Sequence, residues 1–276
     1  MTATIRSSTI RVDDVDVFYR HTGSEDAPAI VLLHGFPSSS RQYKRLMDAL
    51  GDRYRMLAPD YPGSGYTQAP EDFVYSFDRL SDVIEGFVDA LGLKTFSLYT
   101  FDFGGPVGLR LATRRPEMLA GLIVQNANAY EEGLSELAQG LLNPTEEMFS
   151  PATTRFQYEA GVNDTARLDP DAWTMDQHFL NLPGRLQAQF ALARDYASNI
   201  ALYPQWQQWL REQQPPTLIM WGKNDPIFLE TGATAYLRDL PDAHLHLYDT
   251  GHFALEDQLP DMAQTLDRFL SQLPPA

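Results

Sequence analysis

Asp102 lies in the segment "YTFDFGGPVG", residues 99–108, between a run of strand-forming residues and a run that reads as a helix. A sharp strand-to-helix turn holds one side chain forward in a strained conformation and needs small neighbours, which Gly104 and Gly105 supply. The N-terminus of the following helix adds backbone N–H groups and a field that favours negative charge. Thr100 stands where glycine would leave more room and should crowd the turn. A carboxylate here is either a nucleophile or the ordinary Asp N-cap of a helix. Two further segments favour the first reading. "HGFP", residues 34–37, follows an apolar strand-like run, and the backbone N–H of Phe36 after the glycine can donate to an oxyanion. The N–H of Phe103 is the natural second donor. "YDTGHFALED", residues 248–257, places His252 in a loop after the last expected strand and before the last expected helix, where a general base belongs.

Of the six histidines, His244 and His246 alternate along a strand, and His21 and His178 stand in no motif. The His34 ring reads as a structural group satisfied by loop carbonyls. "WGKNDPIF" sets Asp225 just past a strand, where an acid can orient the His252 tautomer and stabilise its cation. Asp249 lies only three residues from His252 along a loop, which is poor geometry for reaching the ring, and Glu131 is a weaker rival acid. The chain order is then Asp102, Asp225, His252. An aspartate is ionised at neutral pH, with an ordinary pKa of about 3.9, and needs no base to attack. Attack on an sp3 carbon forms an ester that water can hydrolyse at the Asp carbonyl, with His252 as base. A serine attacking the same carbon would leave an ether that resists water. The expected chemistry is therefore covalent, at an electrophilic alkyl carbon.

The elements that must position these residues alternate strand and helix. "STIRV" and "VDVFYRHTG" form an antiparallel pair by period-two alternation. "AIVLLHG", "YRMLAPD", "TFSLYT" and "LAGLIVQNA" read as buried strands, joined by helices over "SSRQYKRLMDAL", "SFDRLSDVIEGFVDALG" and "GPVGLRLATRRP". Leu80, Val83, Ile84, Phe87, Val88 and Leu91 share one face of the second helix, and Gly92 ends it. From about residue 127 to 214 the buried-strand signal disappears, and helical segments broken by Pro and Gly hold three of the four tryptophans. Strand and helix then resume through "TLIMWG", "TGATAYLRDLP", "AHLHLYD" and "DMAQTLDRFLSQL". The expected division is an α/β core, residues 1–126 and 215–276, with a helical lid, residues 127–214, above its strand ends.

Composition narrows the function classes. The 276 residues are 43% hydrophobic, which sustains a sizeable core, and carry a formal net charge of −16 without a long basic run. Nucleic acid and anionic membrane are thus unexpected partners. With no cysteine, disulfides, Cys-held metals and a Cys nucleophile are excluded. No apolar leader-like run is visible near Met1 and no stretch of 18 apolar residues occurs, so a cytoplasmic protein is expected. No metal cluster or cofactor motif is apparent.

"HGFP", "APDYPGSG", "FDFGGP", "WGKND" and "GHF" together resemble, in order and spacing and over essentially the whole chain, the α/β-hydrolase-fold enzymes of the epoxide hydrolase and haloalkane dehalogenase group. The resemblance implies an α/β fold with a mostly parallel eight-stranded sheet flanked by helices, an inserted helical lid, and an Asp–Asp–His triad. For the leaving group it implies two options. Dehalogenases of this group hold the halide with N–H donors from a Trp after the nucleophile and a Trp or Asn after His-Gly; here Phe103 and Phe36 cannot donate. Haloacid dehalogenases place an Arg after the nucleophile, which "DFGG" lacks. Epoxide hydrolases activate the ring with lid tyrosines. "RDYASN" partly matches a segment that carries one such tyrosine and points to Tyr196; "RFQYEAGV" resembles the segment of the other and points to Tyr158, with Phe156 as an alternative alignment and Tyr130 and Tyr203 as further candidates. His34, Phe101 and Trp173 are expected to contribute to an apolar substrate pocket. The favoured expectation is hydrolysis of a small hydrophobic epoxide to a diol by a monomer or homodimer without cofactor. A haloalkane dehalogenase-like enzyme, another hydrolase of the fold, or a ligand-capturing receptor that keeps the triad are the alternatives.

Overall fold

The computed structural model describes residues 4–274. Eight strands form one sheet: β1 (Arg6–Val12), β2 (Val15–Thr22), β3 (Ala29–Leu33), β4 (Arg55–Pro59), β5 (Phe96–Phe101), β6 (Leu119–Gln125), β7 (Thr217–Gly222) and β8 (His244–Tyr248). Their order across the sheet is β1-β2-β4-β3-β5-β6-β7-β8. β1 and β2 pair antiparallel, as do β2 and β4, and all other neighbours are parallel. Every residue of β5 and β7 is buried, which explains why both strands carry apolar residues on both faces.

Helices cover both faces. On one side α2 (Phe77–Ala90), α3 (Gly104–Arg114) and α8 (Glu230–Asp239) pack over Val31, Leu98 and Val124; on the other α1 (Lys44–Leu50) and α9 (Leu259–Leu270) pack over Ile30, Tyr99 and Ile123. α2 shows why these segments are helical. Ser76 caps it by accepting from the Arg79 N–H, and Gly92, at φ +67°, leaves the chain just beyond it. Phe77, Leu80, Ile84, Phe87 and Val88 are all fully buried on one face, each contributing on the order of 1.5–3 kcal/mol.

Between β6 and β7 the chain forms α4 (Glu136–Gly140), α5 (Pro151–Glu159), α6 (Pro170–Leu180) and α7 (Arg185–Gln213). The expected interruption by proline does not occur at Pro204, which lies inside the 29-residue α7. Tyr203, Trp206 and Leu210 around it are buried in the main core, and that packing outweighs one missing backbone hydrogen bond. α7 is tied down at polar points too. Asp195 accepts from the first N–H of α2 at 2.8 Å, and the buried Arg110 of α3 reaches Asn199 at 2.6 Å and Ser198 at 2.9 Å.

The chain leaves β3 outward to β4 and then returns past β3 to β5, so strand order reverses between neighbours. Crevices at such reversals, at the C-terminal strand ends, are where open α/β sheets place ligands. The register Leu33↔Thr100 sets the residues leaving β3 beside those leaving β5. Among the described residues no helix is long and apolar enough to cross a membrane.

Candidate active site

Asp102 sits at φ +48°, in the left-handed region that a non-glycine residue enters only under constraint. It is 5% exposed. Gly35, leaving β3, passes so close that an added Cβ would lie 2.3 Å from the Asp102 Cβ, so only glycine fits there. This approach lets Phe36 N–H donate to Asp102 Oδ1 at 2.6 Å. The Phe103 N–H also supports the carboxylate charge. The side chain of Asp102 is thus bonded across to the β3 loop, and α3 begins without a side-chain cap. The crowding expected from Thr100 is relieved by Gly108 of α3, where a Cβ would stand 2.7 Å from the Thr100 methyl.

His252 is fully buried. Its Nδ1 lies 2.7 Å from Asp225 Oδ2, which makes it the N–H donor to that carboxylate. The remaining nitrogen, Nε2, has no hydrogen-bond partner and lies 3.7 Å from Asp102 Oδ2, too far for a direct bond. Asp225 also accepts from Asn126 Nδ2 at 2.8 Å on Oδ2 and from the Ile227 N–H at 2.8 Å on Oδ1. Burial pushes the Asp102 carboxyl up from 3.8 to about 6, against the pull of His252 and of the Phe36 and Phe103 N–H groups. For His252, burial lowers the pKa, but Asp225, by charge and hydrogen bond, and then Asp102 outweigh it and hold it above its ordinary value.

A pocket of 110 Å3 opens over Asp102 between Phe36, Phe103, Ile227 and the segment Leu137 to Gln157. Its walls are mostly apolar. Phe36 and Phe103 line it as expected for neighbours of the turn, but several other residues take different places. Tyr158 is not in the pocket: its hydroxyl donates to Asp176 Oδ2 and accepts from Arg41 at 3.2 Å, and its ring stacks on Phe253 at 3.9 Å. Phe156 and Gln157 line the pocket instead. Adjacent residues of a helix point about 100° apart, so these three consecutive residues cannot all face the pocket. Trp173 packs against Tyr158 at 5.9 Å, away from the pocket. Phe101 lies beneath the site, 4.7 Å from the His252 ring. The His34 ring is used up in its loop, with Nδ1 on Gly35 O at 3.0 Å and Nε2 accepting from Tyr61 N–H at 3.2 Å. Tyr196 is buried with its ring 6.1 Å from that of Phe103 and its hydroxyl 3.5 Å from that of Tyr203, but it is not among the residues that line the pocket. Burial and then Tyr203 push its pKa well up, with Asp102 adding to the rise, so it keeps its proton. Tyr130 donates to Asp239 at 2.7 Å, Asp249 is exposed beside Lys223, and Glu131 is exposed at the start of a turn.

Two residues escaped the motif reading. Asn126 follows β6 at φ +40°, accepts from Gly222 N–H and donates to Asp225, so it fixes the acid relative to the turn. Its only signal was its place at the end of a buried strand, two residues past the apolar run "GLIV". Gln157 stands in "RFQYEAGV" between the two aromatic candidates, where nothing local singles it out. Among the described residues no cluster of three or more His, Asp or Glu is placed to hold a metal.

The geometry accords with comparisons to known proteins. The α/β-hydrolase fold family model matches residues 28–259. An uncharacterised hydrolase of Saccharomyces cerevisiae is 39% identical over 92% of this chain and 93% of its own. Haloalkane dehalogenase 2 of Mycobacterium tuberculosis is 29% identical over 88% of each chain. Among solved structures, a 2-hydroxy-6-oxo-6-phenylhexa-2,4-dienoate hydrolase from a Rhodococcus species superposes with TM-score 0.85 at 18% identity, over 98% of this chain and 100% of that one, a likeness of fold alone. With a paired His–Asp, a backbone N–H pair and a pocket gathered at the strand ends, the chain belongs to the α/β-hydrolase fold family and is a hydrolase of that fold.

Proposed function

We propose that this hydrolase acts on an electrophilic sp3 carbon through an ester on Asp102, and that its substrates are small hydrophobic epoxides opened to vicinal diols. The observation that carries the reading is the Asp102 carboxylate itself, with Oδ1 on the Phe36 N–H, the Phe103 N–H also supporting its charge, and Oδ2 facing the unpartnered Nε2 of His252. In the first step Oδ2 forms a bond to the ring carbon, the C–O bond breaks and its electron pair goes to the leaving oxygen. Tyr196, buried and protonated near Phe103, is the proposed source of the proton. In the second step water attacks Cγ while Nε2 takes its proton. Oδ1 becomes an oxyanion stabilised by the Phe36 and Phe103 N–H groups, then collapses and expels the diol with Oδ2, which takes its proton from the His252 imidazolium, while the second proton of the water returns to the Tyr196 oxygen. Esterification also removes the Asp102 charge, one of the influences that raise the His252 pKa, and so shifts the imidazole toward its neutral form. Residues 1–126 and 215–276 serve as the core and 127–214 as a lid that closes the pocket.

The second reading is haloalkane hydrolysis through the same ester, favoured by the similarity to the mycobacterial dehalogenase and opposed by the absence of a side-chain donor on Phe36 and Phe103. Intact-protein mass spectrometry of His252→Gln tests both. An epoxide adds its whole mass to Asp102, whereas a haloalkane adds its alkyl group and loses the halide. Adducts with haloalkanes alone would replace the epoxide reading, and no adduct with either series would overturn the Asp102 mechanism.

A further inference from the structure

The pocket over Asp102 holds few polar groups, and nearly all are already committed. The Phe36 and Phe103 N–H groups are spent on the carboxylate, and Thr153 Oγ1 donates to Glu147 O at 2.6 Å. Gln157 is the exception. It is 6% exposed and lines the pocket, yet its amide makes no hydrogen bond with any described residue. Its neighbours on α5 do not share this: Thr154 donates to Gln177 at 2.7 Å, and Tyr158 is held by Asp176 and Arg41. The amide atoms are not sealed away from the pocket, so a ligand or water there can take up their hydrogen bonds. The negative charge of Asp102 in the same pocket favours turning the N–H end of the amide toward the reacting atoms.

We infer that Gln157 is a catalytic residue whose Nε2–H groups bind the leaving atom. The inference rests on the Asp102-ester reading and extends it to the other side of the reacting carbon. As Oδ2 bonds to carbon, the electron pair of the breaking bond moves onto the leaving atom, and the Gln157 amide donates hydrogen bonds to the charge that develops there. An amide is too weak an acid to transfer its proton, so it stabilises the charge without being consumed. A halide departs as the anion. An epoxide oxygen takes its proton from the Tyr196 hydroxyl. Gln157 thereby supplies from α5 the N–H donor that Phe36 and Phe103 lack.

The test compares Gln157→Met, close in size but without donors, with the parent in a His252→Gln background. Ester formation is followed by quenched mass spectrometry with 1-chloro-, 1-bromo- and 1-iodohexane and with 1,2-epoxyhexane. Loss of a hydrogen bond to developing charge is expected to slow ester formation roughly 10- to 100-fold. The loss should be largest for chloride and smallest for iodide, because the poorer leaving group depends more on the donor. Gln157→Asn, which keeps the amide one methylene short, should recover part of the rate. Unchanged rates in Gln157→Met would overturn the assignment. So would an equal slowing for every leaving group accompanied by a lower Tm, the mark of a packing role. If the parent forms no adduct with any of the four probes, the ester mechanism falls and takes this role with it. Normal adducts in the parent with no Gln157 effect would remove only Gln157.

Discussion

Asp102→Asn should make the protein more stable while abolishing ester chemistry, and the size of the gain follows from the site. The carboxylate is buried, and its pKa rises from 3.8 to about 6. A raised carboxyl pKa means that the folded state holds its proton more tightly than the unfolded chain. The folded state is therefore unpenalised below pH 3.8, loses stability as pH climbs from there to about 6, and carries the full penalty above. At about 1.4 kcal/mol per pH unit, that penalty is on the order of 3 kcal/mol at neutral pH. An asparagine keeps an oxygen for the Phe36 and Phe103 N–H groups and turns an N–H toward the unpartnered His252 Nε2. Against this, the attraction between Asp102 and a protonated His252 is lost, which trims the gain. We expect a net gain of about 1–3 kcal/mol at pH 7.5, or roughly 2–6 °C in Tm for a chain of this length. Thermal and urea unfolding of both proteins at pH 7.5 and pH 4 is the assay. The gain should be present at pH 7.5 and nearly absent at pH 4. A variant no more stable than wild type at pH 7.5, or a gain that persists undiminished at pH 4, would refute the claim that Asp102 is a costly buried charge.

Three further outcomes are expected. The rate of ester formation should fall about tenfold per pH unit below about 6, as Asp102 takes up its proton, and level off above; a flat profile from pH 4.5 to 7 would contradict the raised carboxyl. Asn126→Ala, which strips a donor from Asp225 and an acceptor from Gly222, should cost on the order of 1–3 kcal/mol in urea titrations and slow ester breakdown more than ester formation. Equal effects on the two steps in stopped-flow would mean that Asn126 does not act through His252. Tyr158→Phe should leave the rate of ester formation as it was and lower stability by about 1–2 kcal/mol, because Asp176 loses a buried donor; a slowed alkylation step would return Tyr158 to the site.

The strand and helix pattern was legible because its causes are local. Buried strands such as "TFSLYT" need apolar residues on both faces, α2 repeats its apolar face every three or four residues, and Gly35 and Gly104 mark backbone too crowded for a side chain. The same holds for Asp102, Asp225 and His252. Each stands in the loop that leaves a strand end, and the chain order of those ends predicts the meeting that places Asp225 2.7 Å from His252 and His252 3.7 Å from Asp102. Side chains between β6 and β7 had no such frame. Phe156, Gln157 and Tyr158 are consecutive, and their roles depend on how α5 is rotated about its own axis, which is set by Asp176, Arg41 and Phe253 from distant parts of the chain. Asn126 likewise takes its meaning from Gly222 and Asp225, nearly a hundred residues away. Sequence by itself determined which backbone positions could carry the chemistry, because strand ends and tight turns are local features. Which polar groups remain unspent to meet a substrate was decided only by the tertiary structure, because a hydrogen bond to a distant partner leaves no local trace.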